Sequence, residues 1–261
     1  MNAMPLWEKV PSLCEETPVL EYYPATKKKT DAVVVICPGG GYSGRSQHEG
    51  KGYAEYLNTL GMDAFVCQYR VAPHRFPLPL LDIRRAIRLV RSKAEEFGID
   101  PNKIAVMGSS AGGHLAAMVS NYKKAIEFEG TDEIDTLSPM PDAQILCYPV
   151  IRCPDELNIA HVGSFEKLLG PDMETEYPHF SCDSLVSDTT PPAFIWHTAD
   201  DQAVNVQNSY LYAVALRQHN IPCEMHIFPN GRHGLGLSPD APHVVQWTGL
   251  LENWLHYIGW L

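Results

Sequence analysis

A serine hydroxyl is a weak nucleophile at neutral pH. It attacks a carbonyl only when a base takes its proton, a carboxylate orients that base, and hydrogen-bond donors receive the oxyanion. The chain offers a candidate for each part. Ser110 is the centre of Gly108-Ser109-Ser110-Ala111-Gly112, a G-x-S-x-G sequence whose glycines leave room for a sharply turned serine with its Oγ exposed. His233 lies in Asn230-Gly231-Arg232-His233-Gly234, directly after an apolar run ending at Phe228. Asp200 and Asp201 follow another apolar run; Asp201 is taken as the partner of His233, and Asp200 as a turn-forming or helix-capping residue. The chain order Ser, Asp, His suits a nucleophile at one strand end with the acid and base on loops after later strands of one sheet. Other histidines fit less well: His114 lies in the helix behind the serine, His219 ends a helix, His226 is inside a strand, and His197 reads as a hydrogen-bonded structural group.

Gly39-Gly40-Gly41 follows the apolar run that ends at Cys37, and glycines let backbone N–H groups approach a ligand closely. A phosphate cradle would need Gly-Lys-Ser/Thr or G-x-G-x-x-G at a helix start, and neither is present here. The amides of Gly40 and Gly41, with that of Ala111 at the start of the next helix, are therefore the candidate oxyanion donors. Tyr42, Arg45, His48 and Glu49 flank this loop and are candidates for contact with the alcohol part of a substrate, or else ordinary surface residues. The competing reading of the pentapeptide is a serine that merely caps a helix.

These residues need a scaffold, and its rhythm is visible. Six short apolar runs, 32–37, 63–69, 103–107, 144–148, 193–197 and 224–228, are separated by helix-length segments, with 19–23 as a further N-terminal strand. Such alternation predicts an α/β fold with a mostly parallel central sheet and helices on both faces. Amphipathic helices are expected at Tyr53, Leu57 and Leu60 before Gly61; at Leu80, Ile83, Ile87, Val90 and Phe97 before Gly98; and at Leu211, Val214 and Ala215. Leu115, Met118, Val119 and Tyr122 place a one-sided helix after Ser110, and Val244, Trp247, Leu251, Trp254, Leu255 and Ile258 a last helix packed on the sheet. The stretch 122–142 is polar and acidic. Residues 152–192, rich in Pro, Asp and Ser, are read as a small lid or substrate wall inserted into a single domain spanning 1–261.

The chain has 261 residues with 31 acidic and 20 basic side chains, a formal charge of −11 that disfavours nucleic acid and anionic lipid. Its seven cysteines, Cys14 among them, form no C-x-x-C pair and several sit in apolar runs, as reduced core residues would. Residues 1–17 hold no apolar stretch of signal-peptide length and no segment approaches a membrane span, so a cytoplasmic protein is expected. There is no H-E-x-x-H or clustered Cys/His pattern, so no metal or other cofactor is implied.

At these residues the chain resembles the α/β-hydrolase superfamily, in particular a short esterase/lipase-like branch that includes bacterial acetyl esterases and acetylxylan esterases. The resemblance spans nearly the whole chain. It rests on Pro38-Gly39-Gly40-Gly41-Tyr42, Gln68-Tyr69-Arg70-Val71-Ala72-Pro73, Gly108-Ser109-Ser110-Ala111-Gly112-Gly113-His114, Thr190-Pro191-Pro192, residues 197–204, and His233-Gly234. It implies that the acid is the aspartate three residues before Val204, which is Asp201. Two departures are plain: the lipase-type His-Gly-Gly-Gly is Pro-Gly-Gly-Gly here, and the proline that often follows the valine is Asn205. With only 36 residues before Cys37, the sizeable cap of hormone-sensitive-lipase relatives is not expected. An open acidic site without a long apolar lid suits short acyl groups on a polar alcohol, such as acetate on a sugar. The rival readings are an amidase, peptidase or aryl-formamidase-like hydrolase, since the same three groups cleave amides, and a non-catalytic binding protein on this fold.

Overall fold

A computed structural model of the chain describes residues 2–11, 17–128, 132–170 and 178–261. Cys14 and residues 171–177 of the expected insertion lie outside the described residues, as do 129–131 of the acidic stretch. Eight strands form one sheet: β1 (Asn2–Pro5), β2 (Val19–Tyr23), β3 (Val33–Cys37), β4 (Asp63–Gln68), β5 (Ile104–Ser109), β6 (Ala143–Cys147), β7 (Ala193–Thr198) and β8 (Cys223–Phe228). Their order is β1-β2-β4-β3-β5-β6-β7-β8. The first two pairings, β1 with β2 and β2 with β4, are antiparallel, and every later one is parallel. β1 was not legible in the sequence, because four residues ending in proline carry no periodicity.

The interior strands are apolar throughout because both faces are covered. Val33, Val35 and Cys37 of β3 point into a core shared with α2 (Leu78–Ser92), α4 (Ala111–Asn121), α5 (Val162–Leu169) and α6 (Gln207–Gln218). Val34 and Ile36 point the other way, against α1 (Gln47–Leu60) and α7 (Trp247–Tyr257). The aromatic stripe of α7 packs inward as expected, with Trp247 stacked on Trp196 at 5.0 Å.

Three helices depart from their expected form. The segment before Gly98 breaks at Lys93 into α2 and a single turn, α3 (Ala94–Phe97). The helix behind Ser110 is buried on all sides, since it lies under β5, β6 and the insertion rather than on the surface. In α6 the buried face is Asn208, Ser209, Tyr212, Ala215 and Leu216, while Val214 is exposed. Polar residues turn inward there because Asn208 Oδ1 accepts from the Ile151 and Arg152 amides and Ser209 Oγ pairs with His197.

Arg70 and Asp82 are both fully buried and form a two-pronged ion pair, Nε to Oδ2 at 2.8 Å and Nη2 to Oδ1 at 2.7 Å. Trp7 Nε1 donates to the same Asp82 Oδ1 at 3.0 Å, and Arg70 Nη1 donates to the Pro11 carbonyl, so the pair fastens the N-terminal segment to α2. Asp82→Ala would remove the buried carboxylate that both prongs of the Arg70 guanidinium engage. It is expected to lower unfolding free energy by about 3–5 kcal/mol, measured by urea denaturation.

Candidate active site

Ser110 sits at the corner between β5 and α4 with φ 53° and ψ −121°, a backbone conformation that L-residues rarely adopt. The neighbouring glycines make that corner possible. A Cβ on Gly108 would stand 2.1 Å from Gly112 O, and one on Gly112 would stand 2.1 Å from Cys37 O. Strand, corner and helix are thus in contact at backbone level, and the serine amide is tied to the Cys147 carbonyl at 3.0 Å.

The loops after β7 and β8 bring two side chains to this corner. His233 Nε2 lies 2.9 Å from Ser110 Oγ, and His233 Nδ1 lies 2.7 Å from Asp201 Oδ2. A carboxylate only accepts, so Nδ1 carries the proton and Nε2 of the neutral ring is free to accept from the serine hydroxyl. Asp201 Oδ1 accepts the amides of Ala203 and Val204 at 2.8 and 3.0 Å, while His197 Nε2 lies 3.3 Å from Oδ2. Burial opposes the charge on Asp201. Hydrogen bonds from His197, His233 and the Val204 amide outweigh it and hold the carboxyl well below the ordinary carboxylate range. His197 Nε2 is shared between Asp201 and the Val204 carbonyl, 3.0 Å away, and its other nitrogen is occupied by Ser209 Oγ at 2.8 Å. The neighbouring Asp200 instead accepts the Gly231 amide at 2.8 Å and so anchors the loop that carries His233.

The glycine loop lies against the serine: a Cβ on Gly39 would be 3.3 Å from Ser110 Cβ. The Gly39 amide is used by Glu49 Oε2 at 2.9 Å. The N–H groups of Gly40, Gly41 and Ala111 donate to no other described residue.

The four residues flanking that loop have separate fates. Tyr42 is buried and its hydroxyl donates to His114 Nδ1 at 2.8 Å, while His114 Nε2–H donates to the Phe180 carbonyl at 2.9 Å. Burial lowers the His114 pKa to about 4, so it remains a neutral link between the glycine loop and the insertion. Tyr42 is therefore not placed to touch a substrate alcohol. Arg45 donates to the Tyr69 carbonyl and lines a separate cleft of about 510 Å³ with Glu21, Gln68 and Lys51. His48 is exposed beside the histidine loop, its Nε2 3.1 Å from Gly234 O. Glu49 is buried rather than on the surface.

The insertion contributes residues that sequence reasoning missed. His161 Nδ1 is 2.8 Å from Ser164 Oγ, and a Cβ on Gly41 would lie 4.0 Å from that same oxygen. Burial, and then the nearby His233, lower the His161 pKa. Ser164 thus lies beside the glycine loop and His161 near His233, while Phe165, Leu168, Leu169, Phe180 and Cys182 lock the insertion into the core. The sequence marks 152–192 as a small lid or substrate wall but does not single out His161 or Ser164.

The family model described as BD-FAE matches residues 21–216, three quarters of the chain and most of the strands just described. The chain belongs to the BD-FAE family. This family member has the α/β-hydrolase fold, as its solved neighbours do. The acetyl ester-xyloside bifunctional hydrolase from Caldicellulosiruptor lactoaceticus superimposes with a TM-score of 0.93 at 43% identity, covering 100% of this chain and 97% of that one. Propionate-bound esterase 2 from Thermogutta terrifontis gives a TM-score of 0.83 at 27% identity over 100% and 95%. Among curated relatives, endo-1,4-beta-xylanase B of Butyrivibrio fibrisolvens is 39% identical over 85% of this chain and 35% of its own length. The acetylxylan esterase of Xylanibacter ruminicola is 34% identical over 86% and 45%. This BD-FAE chain therefore spans between a third and a half of the length of these two curated relatives. Among the described residues no helix is long and apolar enough to cross a membrane.

Proposed function

We propose that this BD-FAE protein is a serine carboxylesterase that hydrolyses short, acetyl-type esters of carbohydrates or other small polar alcohols, with residues 1–261 acting as one hydrolase domain. The observation that carries the reading is the unbroken relay from Ser110 Oγ through His233 to Asp201, at 2.9 and 2.7 Å. Ser110 Oγ attacks the ester carbonyl carbon as His233 Nε2 takes the hydroxyl proton, and Asp201 stabilises the imidazolium. The amides of Gly40, Gly41 and Ala111 receive the oxyanion, each worth about 3 kcal/mol in the transition state. The carbon–oxygen bond to the alcohol breaks, His233 returns the proton to the leaving oxygen, and the acyl group remains on Ser110. A water molecule, deprotonated by the same imidazole, then releases the acid.

Acetate as the acyl group is supported by the names of two relatives, an acetylxylan esterase and an acetyl ester-xyloside hydrolase. The excess of acidic side chains, −11 in formal charge, fits a neutral alcohol such as a sugar better than an anionic one. A cytoplasmic setting belongs to the same reading, since the six described cysteines are free thiols. The test is a substrate series. Acetylated xylo-oligosaccharides and p-nitrophenyl acetate are expected to show kcat/KM at least about tenfold above octanoyl esters and aryl formamides. Preference for the long acyl chain or the formamide would overturn the substrate assignment.

A further inference from the structure

Glu49 occupies the first turn of α1 and is 2% exposed, a carboxylate in the core. Its nearest basic group, His48 Nε2, is 3.9 Å away and already faces the Gly234 carbonyl. Burying a carboxylate without a close cation is costly, so such a group is retained only where its hydrogen bonds do something a neutral side chain would not. Both oxygens are committed. Oε2 accepts the Gly39 amide at 2.9 Å, and Oε1 accepts the Tyr148 hydroxyl at 2.6 Å.

Tyr148 continues the link. Its oxygen accepts the Gly236 amide at 3.0 Å, and its ring meets the His233 ring edge-on, with centroids 5.1 Å apart. Burial, reinforced by the Glu49 charge, holds the phenol well above its usual pKa, so it stays a donor to Glu49. Tyr148 also sits at φ 37°, an unusual conformation for a residue with a side chain, immediately after β6. On the other side, Gly39 has no slack: a Cβ there would meet Glu49 Oε2 at 2.5 Å and Ser110 Cβ at 3.3 Å. A movement of Glu49 would therefore reach the serine through one loop and the imidazole through the other.

We propose that Glu49 is a positioning residue of the hydrolytic site: its two carboxylate oxygens tie the glycine loop, through Gly39, to the histidine loop, through Tyr148. This rests on the triad reading above. It assigns to the tie the mutual placement of the Gly40 and Gly41 amides and the His233 ring around Ser110.

The test compares Glu49→Ala, Glu49→Gln, Tyr148→Phe and the Glu49→Gln/Tyr148→Phe double variant of the full chain, by p-nitrophenyl acetate kinetics, fluorophosphonate labelling and thermal melting. Glu49→Ala is expected to lower kcat about 10- to 100-fold with KM within about twofold, and labelling of Ser110 to slow in parallel. Glu49→Gln keeps the shape and one acceptor but removes the second acceptor to which the Tyr148 hydroxyl donates, so it should recover part of the loss. The double variant should lose no more than the worse single variant, because both substitutions break one link. Unchanged kcat in folded Glu49→Gln and Tyr148→Phe, with only a lower melting temperature, would overturn the proposal. A loss confined to KM would overturn it too. Should Glu49→Ala not fold, those two variants carry the test alone. Turnover retained by Ser110→Ala would instead reject the triad reading, which separates the two failures.

Discussion

Ser110→Ala is expected to reduce kcat on p-nitrophenyl acetate by about 10⁵- to 10⁶-fold and to abolish covalent labelling by a fluorophosphonate. The size of the effect follows from the corner geometry. Ser110 Oγ is the oxygen beside the histidine, and the adjacent Ser109 cannot replace it, because its side chain is buried and pairs with the Tyr53 hydroxyl at 2.8 Å. The residual rate is that of an unassisted or water-borne attack in the same pocket. Folding should be preserved, since alanine is no more strained than serine at φ 53°, and the Ser110 backbone bonds to Cys147, His114 and Val150 remain. A thermal melt within a few degrees of the wild type, together with lost turnover, is the expected pair of results. Appreciable turnover from the folded variant would remove Ser110 from the reaction.

The two adjacent aspartates should separate by orders of magnitude. Asp201→Asn is expected to lower kcat about 10⁴-fold. An amide nitrogen in place of the accepting oxygen favours the histidine tautomer that carries its proton on Nε2, where it can no longer accept from Ser110. Asp200→Asn keeps an oxygen able to accept the Gly231 amide, so its loss should stay below about tenfold. Parallel kinetics on the two variants decide the matter, and equal effects would defeat the assignment. The same environment sets a pH dependence of stability. The folded-state pKa of Asp201 is depressed, so its contribution is fully present above the unfolded value of about 3.9 and is lost as pH falls below that toward the lower folded value. Asp201→Asn should therefore flatten the acid end of a stability curve taken below about pH 4.

The serine corner was legible because it is local chemistry. Gly108 is required by its contact with the Gly112 backbone within one strand-turn-helix, so that constraint is written into nearby residues, whereas Gly112 is required by the Cys37 carbonyl at the end of β3. The parallel strands were legible for a related reason, since burial on both faces demands unbroken apolar runs such as Val33–Cys37. Helix stops at Gly61 and Gly98 were equally readable, with φ of 86° and 63°.

What lay beyond the sequence was the use made of polar side chains. Glu49 in a helix reads as a solvated residue, and only the approach of α1 to the glycine loop buries it. Asn208 and Ser209 carry no apolar signal in the sequence, yet they turn inward to hold the insertion and His197. His161 and Ser164 come close to the glycine loop and His233 from a segment rich in Pro, Asp and Ser. The chain alone therefore determined the order of the strands from β2 onward and the three groups able to form a relay, because turns and apolar runs are governed by neighbours in sequence. The tertiary structure alone decided which carboxylates and hydroxyls are buried and what each one holds, because a hydrogen bond across the core joins residues whose separation along the chain carries no pattern.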